Sequence, residues 1–311
     1  MTRVLSYGGG LDSWVMLLDA IARNERPDLA IFADVADPAH EDPGEWPATY
    51  AHLRDVVMPL CAREGIAFKW LGTDESPIRG ERSLFAYLRR MRLMPSRAGR
   101  RMCTAAAKVE RIAAHVADRY PEGPIEVWIG FEAGEEDRAA RDPHAAPVAD
   151  GAKPRRFRRR KDGTLTAEAR LYGRRRNRFP LMERGICRCR AEQIARASGL
   201  PMPPGSACVY CPFGSRGDFQ TLARELPPQF EAVVLLEADC RETKAGRTVR
   251  FSGTEDDPAL AEWVRAPFAR RGKPCSVCGA EVKAPKRVGC TPVPDAKPPR
   301  QRSLFQIVGA S

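Results

Sequence analysis

Three consecutive glycines, Gly8, Gly9 and Gly10, join a short apolar run, Val4-Leu5-Ser6-Tyr7, to the stretch SWVMLLDAIARN at 13–24, in which Val15, Leu17, Leu18 and Ile21 fall near helical spacing. This join constrains the fold most. A buried strand that turns through glycine directly into a helix is the opening unit of an open α/β sheet, whose first turn gathers backbone N–H groups and a helix N-terminus at the strand's carboxyl end. Such a turn suits an anion. Neither G-x-G-x-x-G nor G-x-x-x-x-G-K-[ST] fits Gly8-Gly9-Gly10-Leu11-Asp12-Ser13, and the missing lysine argues against chemistry at a γ-phosphate.

The unit repeats. Strands are expected at 29–33, 66–71 and 125–129, and helices at 48–64, where Pro59 breaks or kinks the run, and at 108–118. Strands alternating with helices imply right-handed crossovers and a Rossmann-like parallel sheet covered on both faces. From about 135 to 177 the periodicity fails while Arg, Lys, Ala, Gly and Pro accumulate, which reads as an insertion or mobile loop. Helices return at 190–198 and 225–239, on either side of a Pro/Gly turn at 199–205. The expected division is therefore an α/β nucleotide-binding domain over 1–135 and a basic insertion over 136–178. A cysteine-containing helical region over 179–240 completes the domain, and a Pro-rich tail occupies 241–311.

Bulk properties narrow the class. With 311 residues and 43% hydrophobic content the chain can bury a real core. No apolar run approaches the roughly 18 residues of a membrane span, and no secretory pattern opens the chain, so a soluble, cytoplasmic protein without a membrane partner is expected. Ten cysteines in that setting favour thiols and metal over disulfides. A net charge of +11 favours polyanionic partners.

The string Gly8-Gly9-Gly10-Leu11-Asp12-Ser13 resembles the pyrophosphate loop, S-G-G-x-D-S, of the adenine nucleotide alpha hydrolase superfamily, and within it the phosphoadenylylsulfate (PAPS) reductase-like family, with Gly8 where serine usually stands. Later segments are similar in order. Phe32-Ala33-Asp34 followed by Glu45-Trp46-Pro47-Ala48-Thr49 resembles F-A-D-T-G…E-x-P-x-T, which implies that Asp34 lines a nucleotide pocket; Thr49 fits a helix N-cap equally well. Arg101-Met102-Cys103-Thr104 with Lys108 resembles R-x-C-T-x-x-x-K. Gly130-Phe131-Glu132-Ala133 with Glu135, Asp137 and Arg138 resembles G-x-x-A-x-E-S-x-R; these acids suit Mg²⁺ or a solvated loop face.

The resemblance implies an enzyme that holds ATP on Ser6, Tyr7, Gly8, Gly9, Gly10, Leu11, Asp12 and Ser13, with Asp34 and Gly130 in the nucleotide pocket. It cleaves ATP to AMP and pyrophosphate and adenylylates an acceptor, for sulfur transfer or nucleic-acid modification. Asp12 and Ser13 position the pyrophosphate, and Arg101 and Lys108 neutralise it.

Cys208-Val209-Tyr210-Cys211-Pro212-Phe213 offers two thiolates from one knuckle, and a closed metal site needs two more. Cys189 and Cys103 are the expected partners, with Cys187 competing; reduced buried thiols are the alternative. The family's ending, C-x-x-x-I…G-L-P…S-x-C-x-x-C-P, is followed closely from Cys189 to Pro212, with one residue more between Cys189 and Ile194, and implies a [4Fe–4S] cluster or Zn²⁺. A second set, Cys275-Ser276-Val277-Cys278-Gly279 with Cys290, reads as a zinc knuckle one ligand short, to be completed by Cys240 or a partner chain, or as an incomplete ribbon.

Between 153 and 178 stand Arg158-Arg159-Arg160-Lys161 and Arg174-Arg175-Arg176, with Phe157 and Tyr172 available to stack on bases. The run suits DNA or tRNA, or is a solvated loop. A sulfur donor protein is a further expected partner. Two other functions remain open. One is PAPS reduction, although the E-C-G-x-H string it requires is absent; the other is a non-catalytic nucleic-acid-binding module on a degenerate nucleotide fold.

Overall fold

Five strands, β1 (Thr2–Ser6), β2 (Leu29–Ala33), β3 (Ala67–Leu71), β4 (Ile125–Ile129) and β5 (Arg175–Arg178), form one parallel sheet in the order β3-β2-β1-β4-β5. The computed structural model describes residues 1–36, 42–94, 102–142, 144, 163, 165–241, 251, 258–267, 273–275, 277–278 and 281–282. Val4 of β1 lies opposite Leu29 of β2 and Val127 of β4. The chain winds outward from β1 to β3, then returns to the other side of β1 at β4. This reversal opens a crevice beyond the carboxyl ends of β1 and β4, where open α/β sheets bind ligands.

The helices follow in chain order. α1 (Leu11–Ala22) leaves β1; α2 (Pro47–His52) continues through a π-helical turn, Leu53–Val57, into α3 (Met58–Arg63). Next come α4 (Leu84–Met91), α5 (Met102–Thr104), a second π turn over Ala105–Val109, and α6 (Glu110–Arg119). The remainder are α7 (Glu136–Ala139), α8 (Ala167–Leu171), α9 (Pro180–Glu183), α10 (Arg188–Ala197), α11 (Arg216–Glu225), α12 (Pro227–Arg241) and α13 (Leu260–Trp263), with a two-stranded β6 (Lys273–Pro274) and β7 (Glu281–Val282). The helix expected over 48–64 is one path with a π turn just ahead of Pro59; a wider turn accommodates a residue without an N–H where a regular one would clash.

Alternate strand residues feed two cores. Leu5, Tyr7, Ala30, Phe32 and Trp128 pack with α1, α3 and α10, while Val4, Ile31, Leu71, Ile125 and Val127 pack with α6 and α8 on the opposite face. Complete burial of a side chain such as Phe32 contributes roughly 1.5–3 kcal/mol. A third cluster joins α4, α11, α12 and α13 around Tyr210, Phe219 and Phe251. The tail is thus partly folded back. Buried Glu237 accepts the amides of Phe251 and Leu260, at 3.0 and 2.7 Å.

The stretch assigned to an insertion is corrected at its end, because residues 175–178 are the fifth strand. Arg174 donates to the carbonyls of Gly123 and Tyr120, Arg170 pairs with Asp118, and Arg178 pairs with Glu126 and Glu183. Charges along an edge strand also keep other strands from adding to it. The run 158–161 and Phe157 lie outside the described residues. No described helix is long and apolar enough to cross a membrane.

Candidate functional site

At the end of β1 the chain turns through Gly8–Gly10 into α1, and Gly10 caps the helix without any side-chain acceptor. The first-turn amides of α1 have no partner among the described residues and stand at the carboxyl end of β1. Gly9 is required there: its φ is +76°, and a Cβ would stand 2.9 Å from Thr49 Cγ2. Gly130 is required for a different reason. A Cβ on it would press to 3.1 Å on Ser13 N and 3.2 Å on the Asp12 carbonyl carbon, so the end of β4 and the start of α1 touch backbone to backbone. At Gly8 a Cβ would meet only Ser13 Oγ, at 3.9 Å, so a serine there fits without displacement.

The loop has two flanks. On one, Arg188 Nη1 donates to Asp12 Oδ1 at 3.1 Å, and Glu132, Glu135 and Arg138 lie close enough to act on the same charges. Burial raises the Asp12 carboxyl, and Arg188 opposes the rise. Burial also pushes Glu132 up to about 7, with Asp12 adding repulsion. These acids do not converge as a metal site: among the described residues, one group of three or more ligand atoms comes together, and it is made of thiols.

On the other flank Ser206 donates its hydroxyl to the carbonyl of Gly8 and packs against Gly10. Two residues on, Cys208 pairs with Glu45 in an antiparallel bridge, and Val209 N donates to Gly44 O at 2.9 Å. Lys108 lies in the second π turn and bonds buried Glu45 at 3.1 Å. Burial pulls its ammonium down, but Glu45 and the neighbouring thiols outweigh it and hold the pKa above the usual range. Arg111, one turn further on, is buried and donates to the carbonyls of Asp34, Ala107, Leu71 and Gly72, which ties this helix to the ends of β2 and β3.

Several expected residues stand elsewhere. Asp34 is wholly buried; it accepts from Tyr50 OH, Trp70 Nε1 and the amides of Val35 and Ala36, so its oxygens are spent organising the turn after β2. The side chains of Tyr7 and Leu11 lie in the core and leave only their backbones at the crevice. Ser6 ends β1, and Ser13 Oγ donates back to Gly10 O at 3.0 Å. Thr49 is not an N-cap. Trp46 holds that position, and Thr49 Oγ1 is buried without a partner beside Gly9. Arg101 and Cys290 lie outside the described residues.

The cysteines regroup. Cys187, Cys189, Cys275 and Cys278 bring their sulfurs within 4.8 Å of one another, with 4.0 Å between Cys187 and Cys278. Four close thiols can hold a metal such as Zn²⁺ or an Fe–S cluster. Donation by the Cys278 and Val277 amides lowers the Cys275 thiol to about 6, whereas burial and the neighbouring thiols push Cys189 up to about 12. A bound cation would favour the thiolate form of all four. The grouping of Cys189 with Cys103, Cys208 and Cys211 is corrected accordingly. Those three lie beside Lys108 and Glu45, near enough to act on one another's charge but outside ligand distance as a set. Cys240 is buried in the α12 cluster, so Cys187 and Cys189 are what completes the tail knuckle.

Sequence reasoning missed Arg188 and Ser206 as site residues and the pairing of the two cysteine half-sites. The C-x-C at 187–189 was a readable signal for half a metal site and the tail knuckle for another; nothing local showed that the two meet. No protein-family model matches the chain, and no curated protein matches it.

Proposed function

We propose that the chain is an enzyme of the pyrophosphate-loop type, resembling PAPS reductase-like proteins, which binds ATP at Gly8–Ser13, releases pyrophosphate and transfers AMP to an acceptor. The supporting observation is the uncapped N-terminus of α1 at the sheet's reversal, with Arg188 and Lys108 on its two sides. Backbone amides fixed in place stabilise the charge that builds on the departing pyrophosphate without reorganising. Arg188, whose guanidinium has donors to spare while it keeps Asp12, and Lys108, released from Glu45 as phosphate arrives, neutralise it. Asp12, Glu132 and Glu135 are the nearest oxygen donors for Mg²⁺ carried by the nucleotide. Gly130 keeps β4 against the loop so that the amides hold their aim.

The net charge of +11 supports a polyanionic acceptor such as DNA or tRNA. In this reading the four thiols hold one zinc ion. A tetrahedral ion with bonds of about 2.3 Å places its sulfurs about 3.8 Å apart, near the 4.0 Å between Cys187 and Cys278, whereas a four-iron cluster seats each thiolate on a separate iron and spreads them. Zinc there would supply structure, since four protein thiolates fill its tetrahedron.

A second reading, a nucleic-acid-binding module that has lost catalysis, is favoured by Ser206 and Thr49 packing directly on the glycine loop. Incubation with ATP, Mg²⁺ and a panel of DNA, tRNA and small acids, following pyrophosphate release, separates the two. The enzyme reading expects release that depends on one acceptor and falls at least tenfold in Asp12→Ala. Absence of nucleotide binding in both proteins sinks it.

A further inference from the structure

We propose that the metal held by Cys187, Cys189, Cys275 and Cys278 sets the position of Arg188 and through it orders the glycine loop, so that metal occupancy and anion binding are linked. The inference rests on the reading of Gly8–Ser13 as an anion site. Arg188 stands between two of the four thiols in sequence, so coordination of both neighbours fixes its backbone on either side. Its guanidinium reaches across to Asp12 in the first turn of α1, at 3.1 Å, and Glu192 one turn along α10 approaches its Nε at 3.9 Å. Both partners of the Arg188–Asp12 pair are partly exposed, at 28% and 29%. A pair of that exposure is weak alone and keeps its geometry only when one partner is already held.

The remaining thiols come from a segment more than 80 residues later, with Cys275 buried against Ala133 beyond β4. Closing a loop of that length costs entropy that a strong coordinate bond offsets. The ion therefore clasps three pieces of chain: the start of α10, the tail knuckle and, through Arg188, the start of α1. Coupling between two such sites is reciprocal. Zinc should tighten pyrophosphate binding by the factor by which pyrophosphate tightens zinc, roughly tenfold.

The test uses the full chain, zinc-loaded and stripped by chelation, with hydrogen–deuterium exchange read on peptides covering residues 7–14 and titration with inorganic pyrophosphate. The expected result is exchange slowed roughly tenfold by zinc in the wild type. Arg188→Gln should keep stoichiometric zinc, because all four thiols remain, yet lose the protection; Arg188→Lys should recover part of it. Equal exchange with and without zinc, or a zinc response in Arg188→Gln like that of the wild type, overturns the proposal. Pyrophosphate bound equally with and without zinc also overturns it and leaves the anion reading intact. Zinc-dependent protection without any pyrophosphate binding removes the anion reading and leaves the clasp standing.

Discussion

Two groups of cysteines flank the glycine loop, and only one of them closes. Cys187, Cys189, Cys275 and Cys278 draw their sulfurs within 4.8 Å, with small Ala133 packed against Cys187 and Cys275. Cys208 and Cys211 instead form a turn, Cys211 N donating to Cys208 O at 3.0 Å, whose centre buries Tyr210 edge-on to Phe85. Lys108 and Glu45 lie beside that knuckle. A C-x-x-C spacing can thus supply half of such a group, as C-x-C does at 187–189, but does not by itself make a whole one. In one place its sulfurs join a group that could hold a metal; in the other it serves as a joint that carries Ser206 onto Gly8.

Removing the charge that steadies the joint should give the largest effect. Lys108→Met leaves Glu45 buried and unpaired, and is expected to cost about 3–5 kcal/mol in urea unfolding while zinc content stays unchanged. Equal loss of zinc would mean that the two groups are one unit.

Acid offers a second contrast, read in metal-free protein so that thiol protonation does not intrude. Burial lowers His52 from about 6.5 to about 4, where it packs edge-on against Trp14 of α1. The unfolded chain takes up that proton first. His52 therefore contributes stability in full above pH 6.5, and loses it as pH falls toward 4, by up to about 3 kcal/mol. Unfolding curves at pH 7 and pH 5 should converge in His52→Phe; an unchanged pH slope in that variant would rule the histidine out.

Next comes zinc itself. Cys278→Ser should weaken zinc by about a hundredfold or more in chelator competition, and Cys211→Ser should leave it within a factor of two. The reverse order would restore the grouping read from sequence. The smallest effects distinguish the glycines. Gly9→Ala should cost about 1–3 kcal/mol, through its positive φ and the contact with Thr49, while Gly8→Ser should stay within about 0.5 kcal/mol.

The alternation of strands and helices was legible because each element carries its own period: Leu29–Ala33 is uniformly apolar, and α1 repeats its apolar face. The fifth strand was not. Arg175-Arg176-Asn177-Arg178 has no apolar residue, and it is held by pairing with β4, by Asn177 donating to Asp142, and by arginines that find distant carbonyls and carboxylates. The turn from β1 into α1 could be placed because the positive φ at Gly9 is a local demand, whereas its contact with Thr49 and the press of Gly130 come from the fold. The thiol group could not, because its halves are joined by tertiary folding alone. Arg111 and Arg188 belong to the same class: each is an ordinary arginine on a helix until the fold supplies the carbonyls or the carboxylate it faces.

In the proposed reading, the pyrophosphate portion of a nucleotide sits on the amides at the start of α1. Amide-resolved NMR during titration with pyrophosphate tests it most directly. The account predicts that the largest, saturable shifts fall on Gly9, Gly10, Leu11, Asp12 and Ser13, with smaller ones at Arg188 and Lys108. Shifts confined to surface arginines, or none at the loop under saturating ligand, would contradict it.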